Sequence, residues 1–249
     1  MSKYWRNFTI PYYDTDKEGY IKPENILSYM AETSSWHSDS LGVGFEELSK
    51  KDYAWMLLRW EAEILEYPKA KDNVVIGTWT SSFDRFYATR EFVMMDVEEN
   101  IVAKATTKWV FLDIKRRRPK RIPDEIQKRY SFVEDFNFPE FTEMDELSGD
   151  LVESRIMRVR RSDIDNNNHV NNIRYVEWMQ EGLEDGVLDS MMLHKLGIVY
   201  KKEILPGDEF KTNWSRDEKN DKFFNHVISV NGELNAQGYT LWKPVSPMV

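Results

Sequence analysis

Hydrophobic positions recur at helical spacing in two places along this chain. After Pro23, a residue suited to a first helical turn, Ile26, Leu27, Met30 and Ala31 repeat with a period near that of an α-helix. This predicts a helix from Pro23 to about Trp36. A second pattern runs from about Val170 to Leu183. There Ile173, Tyr175, Val176, Met179 and Leu183 share one face, while Arg174, Glu177 and Glu181 lie opposite, as on a helix laid against a sheet. Each helix is followed by segments rich in Val, Ile, Thr and aromatic residues. They predict strands over 55–67, 73–82, 87–97 and 101–113, and then over 199–205, 209–215, 223–230 and 235–243.

The two passes repeat each other in detail. Asp14-Thr15-Asp16 precedes the first helix and Asp163-Ile164-Asp165 the second. Pro68 and Asp72 before Trp79 echo Pro206 and Asp208 before Trp214, and Trp109 and Trp242 follow at similar intervals. Matches in the same order argue for duplication. Each unit then holds one long helix and an antiparallel sheet wrapped around it, an α+β fold. The stretch from Pro119 to Gly149, with its prolines and many acids, reads as a connector. The expected boundaries are 1–135 for the first unit, 136–150 for the linker and 151–249 for the second unit.

Composition narrows the chemistry. The 249 residues include no cysteine, which removes disulfides, thiolate zinc sites and thiol nucleophiles and fits a reducing compartment. No apolar signal segment opens the chain, and no apolar run approaches about 18 residues. The expectation is a cytoplasmic protein without a membrane span. A net charge of −9 argues against nucleic acid as a partner. Positive charge is nevertheless clustered at Lys115–Arg118, at Lys120 and Arg121, and at Arg155, Arg158, Arg160 and Arg161. Such runs are either solvated surface or a docking patch for an acidic partner.

The densest polar segment is Asp163-Ile164-Asp165-Asn166-Asn167-Asn168-His169-Val170-Asn171-Asn172, at the mouth of the second helix. Carboxamides, an imidazole and the backbone N–H groups of a helix start can hold a carbonyl oxygen as it gains charge. A carboxylate beside them can serve as general base or nucleophile. Each residue also has a plain structural reading. Asp165 could cap the helix or close an Asx-turn, Asn167 could be a loop residue and His169 a packed histidine. Glu203, expected in a strand, could pair with a neighbouring lysine. A calcium loop fails, because its sixth and twelfth positions are Asn168 and Arg174 rather than Gly and Glu.

Taken in order, several segments resemble the acyl-acyl carrier protein thioesterases, a family built from two tandem hotdog domains. They are the Asp163–Asn172 segment with Tyr175 and Trp178, Trp55–Arg59 through Tyr67-Pro68, and Ala88–Phe92. Trp109-Val110 with Asp113, Arg118–Pro123 and Tyr200–Glu203 complete the set. Together they span nearly the whole chain. The resemblance places the family's catalytic Asp-x-Asn-x-His on Asp165, Asn167 and His169, and its downstream glutamate on Glu203. Plant members often carry a cysteine next, where this chain has Ile204, which favours carboxylate-assisted hydrolysis over a Cys-His mechanism. Glu18 and Tyr20 stand in the first unit where Asn167 and His169 stand in the second. The first unit is therefore expected to be catalytically silent and to hold the acyl chain.

The implied activity is hydrolysis of acyl-acyl carrier protein to a free fatty acid in fatty acid biosynthesis, with no metal or organic cofactor. The implied partner is acyl carrier protein with its phosphopantetheine-linked acyl chain, and charge alone places its docking on Arg155, Arg158, Arg160 and Arg161 or on the Lys115–Arg121 run. A homodimer is left open. The alternatives are an acyl-CoA thioesterase and a non-catalytic acyl-binding module on the same fold.

Overall fold

A computed structural model describes residues 3–130, 132–144, 151–165 and 168–245. The chain divides into two compact units, Met1–Glu140 and Phe141–Val249.

In the first unit, β1 (Tyr4–Thr9) leads through a 3-10 turn (Tyr12–Asp14) to α1 (Pro23–Ser40) and a short α2 (Phe45–Ser49). Four long strands follow: β2 (Tyr53–Ile64), β3 (Asn73–Phe83), β4 (Tyr87–Met95) and β5 (Ile101–Asp113). A two-residue β6 (Arg118–Pro119) and α3 (Asp124–Gln127) complete it. The sheet is antiparallel, in the order β1-β3-β4-β5-β2, with β6 paired to the end of β5.

Helix α1 packs against β3, β1 and β4. Its buried stripe starts with Ile26, Leu27 and Met30 and continues through Thr33, Ser34 and His37. That continuation carries the helix a turn beyond the predicted end. The added residues His37–Ser40 are polar, so apolar periodicity misses them, and of these four His37 is the buried one. Hydroxyls along the helix return to its backbone, as Thr33 Oγ1 does to the Tyr29 carbonyl at 2.8 Å and Ser38 Oγ to the Ser34 carbonyl at 3.1 Å. His37 Nδ1 lies 3.1 Å from the buried Arg90 guanidinium. Burial, and then the neighbouring positive charge, lowers the His37 pKa to about 4.

The second unit contains β7 (Val152–Arg158), a 3-10 turn (Arg161–Asp163), α4 (Asn172–Glu181) and α5 (Asp185–Ser190). Then come β8 (Met191–Tyr200), β9 (Glu209–Arg216), β10 (Phe223–Val230) and β11 (Glu233–Pro244). Its antiparallel order is β7-β9-β10-β11-β8, which is the order of the first unit strand for strand. The duplication legible in the sequence is thus a duplication of topology.

Helix α4 buries Ile173, Tyr175, Val176, Trp178 and Met179. Trp178 stacks on Phe210 of β9, with ring centroids 3.9 Å apart. A side chain on Gly238 of β11 would meet Met179 Sδ at 2.7 Å, so glycine there lets the helix approach the sheet.

Two expectations are corrected. The strand expected over 199–205 ends at Tyr200 and begins at Met191 instead. Buried Ile204 extends the apparent alternation into what is a loop. The edge strands β1 and β7 were not predicted. The outward half of β1 is exposed, in strict alternation with its partly buried residues.

Candidate functional site

The polar segment folds into a tight loop whose ends are pinned by an antiparallel bridge between Ile164 and Val170. Inside it, Asp165 N–H donates to the His169 carbonyl at 2.9 Å, and Asn168 N–H donates to the Asp165 carbonyl at 3.1 Å. Asn168 adopts φ +62°, the left-handed conformation that Asn tolerates better than most residues. Asn171 caps α4 by accepting from Ile173 N–H at 3.0 Å. His169 therefore stands just ahead of the helix mouth. Asn167 lies outside the described residues.

The first unit builds the same loop. Thr15 bridges Ile21, Asp16 N–H donates to the Tyr20 carbonyl at 2.8 Å, and Gly19 supplies the left-handed residue at φ +83°. Asp16 Oδ1 accepts from Glu18 N–H at 3.0 Å and from Tyr20 N–H at 2.9 Å, a loop-closing role. Asp165 Oδ1 accepts from His169 N–H at a longer 3.4 Å. The structural role of the aspartate is common to both loops; the imidazole belongs to the second alone.

Glu203 follows β8 in a loop, not in a strand as expected, and it does not pair with the adjacent lysine. Lys202 pairs with Glu233 instead. The loop carries Glu203 to the polar segment, where its Oε2 lies 3.1 Å from His169 Nε2. Both side chains are about half exposed, so water reaches the pair. With a carboxylate accepting Nε2–H, the neutral imidazole keeps its lone pair on Nδ1.

Backbone bonds show which first-unit residue corresponds to Glu203. Val170 N–H donates to the Ile204 carbonyl at 3.4 Å, as Ile21 N–H donates to the Pro68 carbonyl at 2.9 Å. Asp208 then accepts from Leu205 N–H as Asp72 does from Lys69 N–H. Pro68 thus corresponds to Ile204 rather than to Pro206, and Tyr67 takes the place of Glu203. Ile204 is fully buried, so its side chain belongs to the core.

Asp163 has a structural role. It is 1% exposed and accepts from Arg160 N–H at 2.7 Å and from Arg160 Nε at 3.1 Å. Arg160 also reaches Glu177 at 2.9 Å, and Arg174 pairs with the same Glu177 at 2.6 Å. In the first unit the equivalent Asp14 is served instead by the Tyr29 hydroxyl at 2.6 Å.

This network separates Arg160 from the other arginines of the expected docking patch. Arg155, Arg158 and Arg161 are exposed, and no side-chain ion pair or hydrogen bond joins them to another described residue. Arg158 and Arg161, with Arg160, line a groove of about 630 Å³ that also takes in Ile164, Asn168 and Gly207. The groove therefore borders the loop that carries Asp165 and His169.

Residues 1–130 match the family model for the acyl-ACP thioesterase N-terminal domain, and residues 150–244 match that for the C-terminal domain. An acyl-[acyl-carrier-protein] hydrolase of Cuphea viscosissima is 27% identical over 96% of this chain and 62% of its own length. An oleoyl-acyl carrier protein thioesterase of Arabidopsis thaliana is 26% identical over 98% of this chain and 77% of its own length. Both relatives are described as chloroplastic. The chain spans less than two thirds of the Cuphea relative.

Among solved structures, a putative oleoyl thioesterase from Lactobacillus plantarum aligns with a TM-score of 0.88 at 23% identity, over 98% of this chain and 97% of that one. The 12:0-ACP thioesterase from Umbellularia californica aligns at 0.85 and 22%, over 98% of each chain. At these identities the likeness shows the fold. Each unit is a hotdog, a helix set against a curved antiparallel sheet. No helix among the described residues is long and apolar enough to cross a membrane.

Proposed function

This chain belongs to the acyl-ACP thioesterase family, and we propose that it hydrolyses acyl-acyl carrier protein to a free fatty acid in fatty acid biosynthesis. The observation that carries this reading is the 3.1 Å approach of His169 Nε2 to Glu203 Oε2 beside Asp165. The matching places in the first unit hold Tyr20 and Tyr67, so that unit is read as silent and as the holder of the acyl chain.

In this reading a water is activated at the second-unit loop and adds to the thioester carbonyl carbon. The C–S bond then breaks, and the departing thiolate takes up a proton. Asp165 is the base that accepts the water proton, or the nucleophile whose anhydride the water opens. His169 and Asn167 hold the carbonyl oxygen and the water. Glu203 fixes the ring orientation of His169. Catalysis on this reading uses no metal or organic cofactor.

The partner is acyl carrier protein with its phosphopantetheine-linked acyl chain. Arg155, Arg158 and Arg161 supply the docking charge, because Arg160 is already engaged by Asp163 and Glu177. The lack of cysteine accords with a reducing compartment, read here as the cytoplasm.

A thiol-release assay with acyl-carrier and acyl-CoA thioesters of the same chain tests the reading. Turnover that favours the carrier substrate supports it. Preference for the CoA substrate would make the protein an acyl-CoA thioesterase, and turnover on neither would make it a binding module.

A further inference from the structure

Glu203 stands in a loop, and its backbone is gripped from a neighbouring hairpin. Between β10 and β11, Ile228 pairs with Ala236 but Ser229 pairs with Leu234, so Asn235 is the extra residue of a β-bulge. Its carbonyl accepts from Lys201 N–H at 2.8 Å and from Lys202 N–H at 3.0 Å. Its side chain is buried, with the residue 2% exposed. Oδ1 accepts from Val230 N–H at 2.9 Å, and Nδ2 donates to the Glu203 carbonyl at 3.1 Å, with the Lys202 carbonyl at 3.5 Å.

The first unit repeats this frame without the side chain. Met94 pairs with Ala103 and Met95 with Ile101, which makes Val102 the bulge residue between β4 and β5. The Val102 carbonyl accepts from Leu65 N–H at 2.8 Å and from Glu66 N–H at 3.1 Å, just as Asn235 accepts from Lys201 and Lys202. Val102 is as buried as Asn235, but its side chain has no donor to offer the next carbonyl, that of Tyr67. A bulge stable with valine does not need an asparagine. Burying an amide is costly unless its hydrogen bonds are made. The polar side chain occurs in the unit whose loop carries Glu203, and its donor is spent on the Glu203 backbone itself.

We infer that Asn235 is a positioning residue for the hydrolysis. Its amide holds the 202–203 backbone so that the Glu203 carboxylate stays within reach of the His169 imidazole. This rests on the reading that Glu203 serves the reaction. Tight placement of supporting groups is worth large factors in rate, since displacements of about 1 Å cost up to about 100-fold.

The test compares Asn235→Val, which copies the first unit, with Glu203→Ala and with the double variant on an acyl-carrier substrate. Asn235→Val is expected to lower kcat by about tenfold or more with KM within about twofold. Its kcat–pH profile is expected to move to that of Glu203→Ala, and the double variant to fall no further than the worse single one. Melting curves establish folding. Should Asn235→Val not fold, Asn235→Ser, which leaves room for a water on the same backbone groups, carries the same comparison. If Glu203→Ala is impaired while the Asn235 variants keep wild-type kcat, or if the losses multiply, the inference is overturned. If Glu203→Ala is itself fully active, the reading beneath it falls.

Discussion

His169 and Glu203 meet at 3.1 Å, Nε2 to Oε2, although one precedes α4 and the other follows β8. Chain segments joined in this way act as a unit, and their effects on rate are then non-additive. Glu203→Gln is expected to lower kcat in the wild-type background and to change it by less than about threefold once His169 is alanine. A four-point kinetic cycle measures this, and independent, multiplying losses would show that the contact has no part in turnover.

His169→Ala and Asp165→Ala should each lose about 10²- to 10⁴-fold in kcat, the range of a general acid–base contribution. Far-UV circular dichroism should stay at the wild-type spectrum, because the loop is also pinned by the Ile164–Val170 bridge. Near-wild-type rates in both variants would remove these residues from the chemistry.

The arginines proposed to dock the carrier divide by their present partners. Arg158→Glu and Arg161→Glu should raise KM for the carrier substrate while leaving kcat and Tm close to wild type, with an effect that fades as salt is added. Arg160→Ala should instead lower stability by about 1–3 kcal/mol, because buried Asp163 loses the Arg160 guanidinium while keeping the backbone N–H of residue 160. Equal KM effects from Arg158 and Arg160 with no change in Tm would refute this division.

If the first unit is silent, its loop tolerates change. Glu18→Gln and Tyr20→Phe, at the places of Asn167 and His169, should keep kcat within about twofold, and steady-state kinetics on the carrier substrate decides. A loss comparable to that of His169→Ala would place chemistry in both units.

Two buried histidines set an acid limit on stability. Burial lowers the pKa of His226 to about 3, and burial with Arg90 lowers that of His37 to about 4. Below the unfolded value near 6.5 the unfolded chain binds protons that the folded chain does not, so stability falls as pH drops. The loss runs from about pH 6.5 to about 4 for His37 and to about 3 for His226. His226 alone contributes a slope of about 1.4 kcal/mol per pH unit in that window. Denaturant midpoints between pH 7 and pH 4 should show this slope, and His226→Gln should flatten it. An unchanged slope in that variant would assign the acid limit elsewhere.

Features encoded locally were legible along the chain. Helical spacing located both helices, and strands 101–113 and 223–230 were predicted with the bounds they have. The order of matching residues revealed the duplication, and it marked the second loop as the one with an Asn-x-His in place of Glu18 and Tyr20. These features follow from side-chain patterns over a few residues, which the chain carries wherever it folds. Folding sets whatever depends on one segment meeting another. It moved Glu203 from a strand into a loop facing His169, matched it with Tyr67, and engaged Arg160 with Asp163 and Glu177. It also singled out Asn235, an asparagine with no motif around it. A bulge is a relation between two strands, and the partners of a buried amide come from the register of the sheet. Neither can be read from a residue's own neighbours along the chain.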